Sequence, residues 1–589
     1  MLREFTPLHR PPLGGEYYVF RDAVHNLIEI EDELDGKYVR TLLQTPEVQR
    51  LRFLRQNGLS FLVYPGVETS RFPHSLGSFN IAYRIAHSLY ERQPSEEEGL
   101  PRCLQMTKQD CLAFSIAALL HDIGHGPLSH VWEECWSEPR GIEHFHEKIG
   151  IEILTSNKTR IGTLLSQRDL HPRYPDLGRD VLRFLTGTHH LAYLLPLLEG
   201  NLDVDRLDFI ARDTRSAGVT YGSHDLEWII RSFRFARLPG HYLGDSEAPR
   251  WVIAIDARKG VSALVQFLRA RENMYKLVYH HKTTRAATQM LKLLFRRAEL
   301  LSSRGSLVCR SSALQRVLSL KLHESPDLSD YLQMDDSDIW MSIKGWAQGE
   351  STDPILKDLA SRLQSRDLFK VFTLSKHVYE RLRVIDSPEA GHILRSIVKA
   401  RLRSACVTDE DAEYHYAFDE AQFNIIGRKQ ADPWQDVWIM QSGALGFEFR
   451  KLKDYWKEVS SSESELQNLL VVHRHVVRDL AGIVERLSFP SKSAKSMTVT
   501  PLSPHNYLVI APLGSEGNWK EVWVGADIRP GGAVEKVVAL KRYKTSGSEE
   551  EAIERDVEAF TRLGGTHKNL SALCHADENS ESFLSLNFV

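Results

Sequence analysis

No run of about eighteen uncharged apolar residues occurs anywhere in the chain, so the sequence offers no membrane-spanning helix. The opening residues, MLREFTPLHRPPLGGEYYVF, carry early charge and consecutive prolines but no apolar stretch of the kind a secretory signal needs. Cysteine is scarce: Cys103, Cys111, Cys135, Cys309, Cys406 and Cys574 are scattered over 589 residues with no CxxC pair. That excludes a disulfide framework and predicts a reducing, intracellular compartment, cytoplasm or nucleus. Charge of one sign is also lacking. Lys and Arg number 74 against 78 Asp and Glu, a net charge of −4. No bulk positive field marks a nucleic-acid or membrane-surface binder, and any anion site must be local. The chain is 42% hydrophobic and 26% charged, an ordinary globular balance that excludes collagen-like and low-complexity proteins. No repeat of solenoid period is present.

What is present is helical periodicity. In SLGSFNIAYRIAHSLYE (75 to 91), Leu76, Phe79, Tyr83, Ala86 and Tyr90 fall on one face, which predicts an amphipathic helix. The run DCLAFSIAALLHDIGHG (110 to 126) is apolar nearly all round to Leu120. This predicts a buried helix ending at His121 and Asp122, polar groups that need partners there. Helical pattern continues through DPILKDLASRLQSRDLFK (353 to 370), while 413 to 427 and 436 to 441 alternate as strands do. The fold class read from this is mainly α: a helical core over 1–300, a smaller mixed α/β lobe over 301–489, a polar linker at 490–504, and a C-terminal α+β segment over 505–589. After the linker come short strands with glycine turns, then a helical pattern in SEEEAIERDVEAFTRL.

Four segments of the first part carry the chemistry: RFPHSLG (71 to 77), HDIGHGPLSH (121 to 130), HFHEKIG (144 to 150) and LDVDRLDFIARD (202 to 213). A His-Asp pair alone is common by chance. Together, His74, His121, Asp122 and Asp205 make a mixed nitrogen and oxygen donor set suited to a divalent ion. Such an ion activates water and polarises a phosphoryl oxygen, the chemistry of phosphoester hydrolysis. His125, His130 and His146 add imidazoles that exchange protons near neutral pH or bind phosphate oxygens.

This ordered His … His-Asp … Asp series resembles the HD-domain phosphohydrolases. PEVQRLRFLRQNG, YPGVETSRFPHSLG, LLHDIGHGPLSH, DVDRLDFIARD and YHHK are similar, in order, to motifs of the SAM and HD domain-containing deoxynucleoside triphosphate triphosphohydrolase family, over roughly residues 17 to 300 and more weakly to about 485. No SAM domain is expected before them. The resemblance implies hydrolysis of a dNTP to deoxynucleoside and tripolyphosphate, with Mn, Fe, Zn or Mg as cofactor and a homo-oligomer as assembly. It implies His74, His121, Asp122 and Asp205 as metal ligands and His125, His130 and His146 around the phosphates. Glu133 stands where the family has an aspartate beside the catalytic histidine. It further implies Arg71, Arg206 and Arg271 on the triphosphate, and Gln56, Tyr279 and Asp213 on the sugar side. Three positions depart from the pattern. Asn57 replaces an apolar residue against the deoxyribose edge, Phe209 replaces a tyrosine, and Gln44 replaces an aspartate that reads guanine in a regulatory site, although Arg52 is retained.

The C-terminal segment resembles the N-terminal lobe of a eukaryotic-type protein kinase. Gly514 and Gly517 fall in a loop over ATP phosphates, Val522 on the adenine-side strand and Lys541 of VALK at the phosphate-contacting lysine. The sequence carries no HRD loop and no DFG aspartate after them, so phosphotransfer is not expected. The leading expectation is a metal-dependent dNTP triphosphohydrolase. The alternatives are an HD phosphodiesterase or nucleotidase on another nucleotide, and a nucleotide-sensing scaffold linked to a kinase-like module.

Overall fold

The computed structural model describes residues 17–31, 34–168, 171–243, 248–386, 393–402, 409–422, 437–443, 446–459, 466–488, 507–514, 519–528, 534–543 and 583–587. Helices dominate, as the periodicity predicts. The chain divides into two compact units. One comprises Met1–Asp367 with Gln422–Leu466, the other Leu368–Ala421 with Gln467–Val589. The division at 300, 489 and 504 remains our proposal for sequence modules; the linker lies outside the described residues.

At the centre of the first unit is the helix Lys108–Leu120, buried from Asp110 to Leu120. Thr107 and Asp110 close its start with a reciprocal capping box, satisfying N–H groups the first turn leaves unpaired. Two helices flank the site, Arg71–Glu91 and Val204–Ala217. Gly77 allows their close approach, because a Cβ there would collide with the Asp208 carboxylate and the Arg212 guanidinium. Before them, the strands Tyr17–Asp22 and Asn26–Glu31 form an antiparallel hairpin that brings His25 to Asp208 and Asp22 to Arg212.

The first unit also holds a four-stranded sheet in the order Phe233–Leu238, Arg250–Asp256, Trp438–Gly443, Gly446–Lys451. Its two middle strands are parallel, and the outer pairs are antiparallel. The expected helix over 353 to 370 is Pro354–Ser365, and the expected strands are Tyr416–Gln422 and Trp438–Gly443. In the second unit, a three-stranded sheet of Lys370–Leu374, Leu466–Val472 and Tyr416–Gln422 packs with helices around Leu382, Leu394, Val398, Leu470 and Leu480. Its C-terminal strands Tyr507–Gly514, Trp519–Ile528, Val534–Tyr543 and Phe583–Asn587 form an antiparallel sheet in that order. Gly514 is the register partner of Val522, and Val522 that of Lys541. Gly517 and the helical pattern of SEEEAIERDVEAFTRL lie outside the described residues.

Candidate active site

His74 sits one turn into the helix Arg71–Glu91, His121 and Asp122 follow the end of Lys108–Leu120, and Asp205 lies in the first turn of Val204–Ala217. The helices bring the four together. His74 Nε2 is 3.3 Å from Asp122 Oδ2 and 3.0 Å from Asp205 Oδ1, and His121 Nε2 is 3.3 Å from Asp122 Oδ1 and 3.6 Å from Asp205 Oδ1.

The tautomers fit a cation. His74 Nδ1 donates to Asp208 Oδ2 at 2.9 Å, and His121 Nδ1 donates to the Ala118 carbonyl at 2.8 Å. In the neutral ring each Nε2 is therefore left with a lone pair, and both atoms are buried without a hydrogen-bond partner. Such an arrangement, a ligand imidazole fixed from behind by an acceptor, is how metal-binding histidines are held. Burial opposes a charge on His74, yet the Asp122, Asp205 and Asp208 carboxylates outweigh it and raise its pKa well above the ordinary value. The carboxylates make a positive charge favourable at this point.

Another His-rich group fails the same test. Asp110, His189 and His190 also lie close together, but His189 Nδ1 accepts from the Leu191 N–H at 3.2 Å. Its Nε2 must then carry the proton and offers no lone pair to an ion.

Beside the four expected ligands lies a second set. His125 stacks on His146 with ring centroids 4.1 Å apart and Nε2 3.3 Å from Asp122 Oδ1. Glu133 joins the others: Oε1 accepts from His146 Nδ1 at 2.6 Å and Oε2 from His130 Nδ1 at 3.1 Å. Burial opposes the Glu133 charge, but these two imidazoles outweigh it and hold its pKa well below the carboxylate range. His125 is pushed well down by burial and by the Arg71 guanidinium, so it is neutral at physiological pH.

A cavity of about 920 Å³ opens over both sets. Gln56, Asn57, Arg71, Arg206, Phe209, Asp213 and Tyr279 line it, with His121, Asp122, His125, His130, His146 and Asp205. Glu133 stands behind the imidazoles it holds. Arg71 donates to Asp122 and, at 2.7 Å, to Ser129 Oγ. Arg206 pairs with Asp203, the N-cap of its own helix. Arg271 is not part of the lining; it is buried beside Arg206, donates to the Asn201 carbonyl at 3.2 Å, and has its pKa lowered to about 10 by burial and by Arg206. Tyr279 donates to Asp213 Oδ2 at 2.8 Å. Tyr279 and Glu133 both lie in widened π turns, which recur at functional sites because they re-aim one side chain.

Sequence reasoning missed the support. Asp208 is fully buried and accepts from His25 at 2.7 Å and from Arg212 at 2.8 Å as well as from His74. Burial opposes its ionisation, but Arg212, His25 and His74 hold its pKa well below the usual range. Its only sequence signal is its place one turn after Asp205. Lys148 also lines the cavity, two residues beyond His146.

Comparison with known proteins gives an HD domain match over residues 71–211. The protein YwfO of Bacillus subtilis, itself uncharacterized, is 31% identical over 357 residues, covering 60% of this chain and 72% of that one. The chain belongs to the HD-domain phosphohydrolases. A phosphohydrolase of Bacteroides thetaiotaomicron has a similar structure, with a TM-score of 0.58 and 26% identity over 78% of this chain and 100% of its own. Human deoxynucleoside triphosphate triphosphohydrolase SAMHD1 is 27% identical over 381 residues, which covers 60% of this chain and 54% of that enzyme. This HD phosphohydrolase thus spans about half the length of SAMHD1. It is a metal-dependent hydrolase, and its clustered His and Asp side chains can bind a divalent ion. No helix among the described residues is long and apolar enough to cross a membrane. The comparisons give no support to the kinase-like reading of Gly514, Gly517, Val522 and Lys541 or to an ATP site there.

Proposed function

We propose that this HD phosphohydrolase converts deoxynucleoside triphosphates to deoxynucleoside and tripolyphosphate. The observation that carries the reading is the pair of tautomer-fixed, unpartnered Nε2 atoms of His74 and His121 beside Asp122 and Asp205, at the floor of a cavity lined by three further histidines. The similarity to human SAMHD1, a deoxynucleoside triphosphate triphosphohydrolase, supports the substrate class. A divalent ion held by His74, His121, Asp122 and Asp205 would polarise a phosphoryl oxygen and lower the pKa of the attacking water.

The chain's own residues supply the rest. Arg71, Arg206 and Lys148 place positive charge along the cavity for triphosphate oxygens. Water adds to the α-phosphorus, the bond from phosphorus to the 5′ oxygen breaks, and that oxygen needs a proton. His130 and His146 are placed to give it, because Glu133 takes the Nδ1–H of each ring and leaves each Nε2 for proton exchange. Burial and Arg71 keep His125 neutral, so it meets the phosphate oxygens as an uncharged hydrogen-bonding ring and leaves proton delivery to the other two histidines. Tyr279, Asp213, Gln56 and Asn57 form the wall assigned to the sugar, where Phe209 offers a ring edge without a hydroxyl.

The test is chromatography of products from a panel of dNTPs and NTPs with purified, metal-loaded protein. Tripolyphosphate with nucleoside is expected; orthophosphate or a monophosphate would reject the triphosphohydrolase reading. Asn57 presents a polar amide in this lining where an apolar side chain would exclude a hydroxyl, so an added 2′-hydroxyl is tolerated and kcat/KM for dGTP over GTP stays within about a hundredfold. A homo-oligomer remains part of the same proposal.

A further inference from the structure

The turn between His125 and His130 is strained and is held from outside the HD match. Leu128 and Ser129 both have φ of 59°, a region that strains a non-glycine residue and persists only where its surroundings enforce it. The enforcing group is Asp336, at the start of the helix Asp336–Ala347 and more than a hundred residues past the end of the match at 211. Its Oδ1 accepts from the Leu128 N–H at 2.7 Å. Its Oδ2 accepts from the Arg55 N–H at 3.1 Å, one residue before Gln56 and two before Asn57. A second link closes the ring: Ser129 Oγ donates to the Arg55 carbonyl at 2.6 Å and accepts from Arg71. Arg50 and Tyr331 also hold this region, through the His125 and Gly124 carbonyls, but neither reaches the Arg55 segment.

We propose that Asp336 is a positioning residue that fixes the Leu128–Ser129 turn, and with it His130, in register with the Gln56–Asn57 segment. The side chain is 4% exposed, does not line the cavity and touches none of the expected metal ligands. A buried carboxylate with two backbone N–H donors on separate segments joins them only while both oxygens accept. An amide cannot replace it, since its NH₂ would face one of the donors. Burial pushes the Asp336 pKa up to about 6, with the Leu128 and Arg55 N–H groups opposing the shift. The ionised, doubly accepting form is therefore the one present at neutral pH.

The inference rests on the phosphohydrolase reading of the cavity and not on which phosphoester it cleaves. The test compares Asp336→Asn and Asp336→Ala with wild type in three readouts: metal content, kcat and KM on whichever phosphoester the wild type turns over fastest, and amide hydrogen exchange. Metal content should be unchanged, kcat should fall by about a hundredfold, the scale of an ångström-level misplacement of reacting groups, and KM should change less. Exchange should rise together in peptides covering 54–57 and 126–130 while the helix Lys108–Leu120 stays protected. Wild-type kcat in both variants, or unaltered exchange in either peptide, overturns the proposal. Asp336→Asn, nearly isosteric, keeps the test valid if the alanine variant fails to fold. The exchange readout decides the matter even if no dNTP is a substrate, so failure of the dNTP assignment and failure of this inference are distinguishable.

Discussion

Asp213 has no exposed surface, and burial lifts its pKa from 3.8 to about 6, against the Tyr279 hydroxyl and Asn57 amide that favour its charge; His74 lowers and Asp208 raises it further. An acid whose folded pKa is raised contributes stability in its protonated form. That contribution is complete below the unfolded pKa and is lost as pH rises through about 6, an effect on the order of 3 kcal/mol. Asp213→Asn should therefore match wild type near pH 4 and be more stable by about 2–3 kcal/mol at pH 8, read by urea denaturation at both pH values. Equal stability at both would show that the carboxyl is not held in a charge-averse site. At this scale the sequence was legible where residue type and order carry the chemistry: His74, His121, Asp122 and Asp205 converge as expected. It was silent on Asp208 and Asp336, acids whose role depends on which distant atoms they reach. Arg271 shows the opposite limit, since the family resemblance implied a phosphate contact while its guanidinium donates to the Asn201 carbonyl outside the cavity lining.

The pairing of Arg71–Glu91 with Val204–Ala217 positions His74 through Asp208, and it depends on the absence of a side chain at Gly77. Gly77→Ala should force these helices apart, destabilise the fold by about 1–3 kcal/mol and lower metal affinity. Thr107→Ala, which removes a helix cap remote from the ligands, should cost about 1 kcal/mol and leave metal affinity unchanged. Calorimetric metal titration of the two variants separates the effects; equal metal affinity in both would mean that helix spacing does not set the His74 ring. Helix identity was readable from periodicity, most clearly in the one-faced pattern from Leu76 to Tyr90. The π turns at Glu133 and Tyr279 were not, because one extra residue in a turn leaves no compositional trace.

At the scale of the whole molecule, every cavity-lining residue lies between Gln56 and Thr288, within the first compact unit. Among the described residues, none after Pro490 contributes to that lining, and the apolar cluster around Leu382, Leu394 and Leu470 is drawn from residues up to Val484. A chain ending at Pro490 should keep kcat within a fewfold of the full protein on the same substrate, and loss of activity with intact circular dichroism would show that the C-terminal strands act on the site. The mixed character of the fold was legible from alternating segments. The parallel pairing of Trp438–Gly443 with Arg250–Asp256 was not, since long-range strand partners have no local signature. The central claim is that His74, His121, Asp122 and Asp205 hold one catalytic divalent ion, and it is tested most directly by elemental analysis of purified wild type and Asp122→Ala. A single divalent ion per wild-type chain, absent from a folded Asp122→Ala chain, is the predicted result; equal metal content in the two proteins would contradict it.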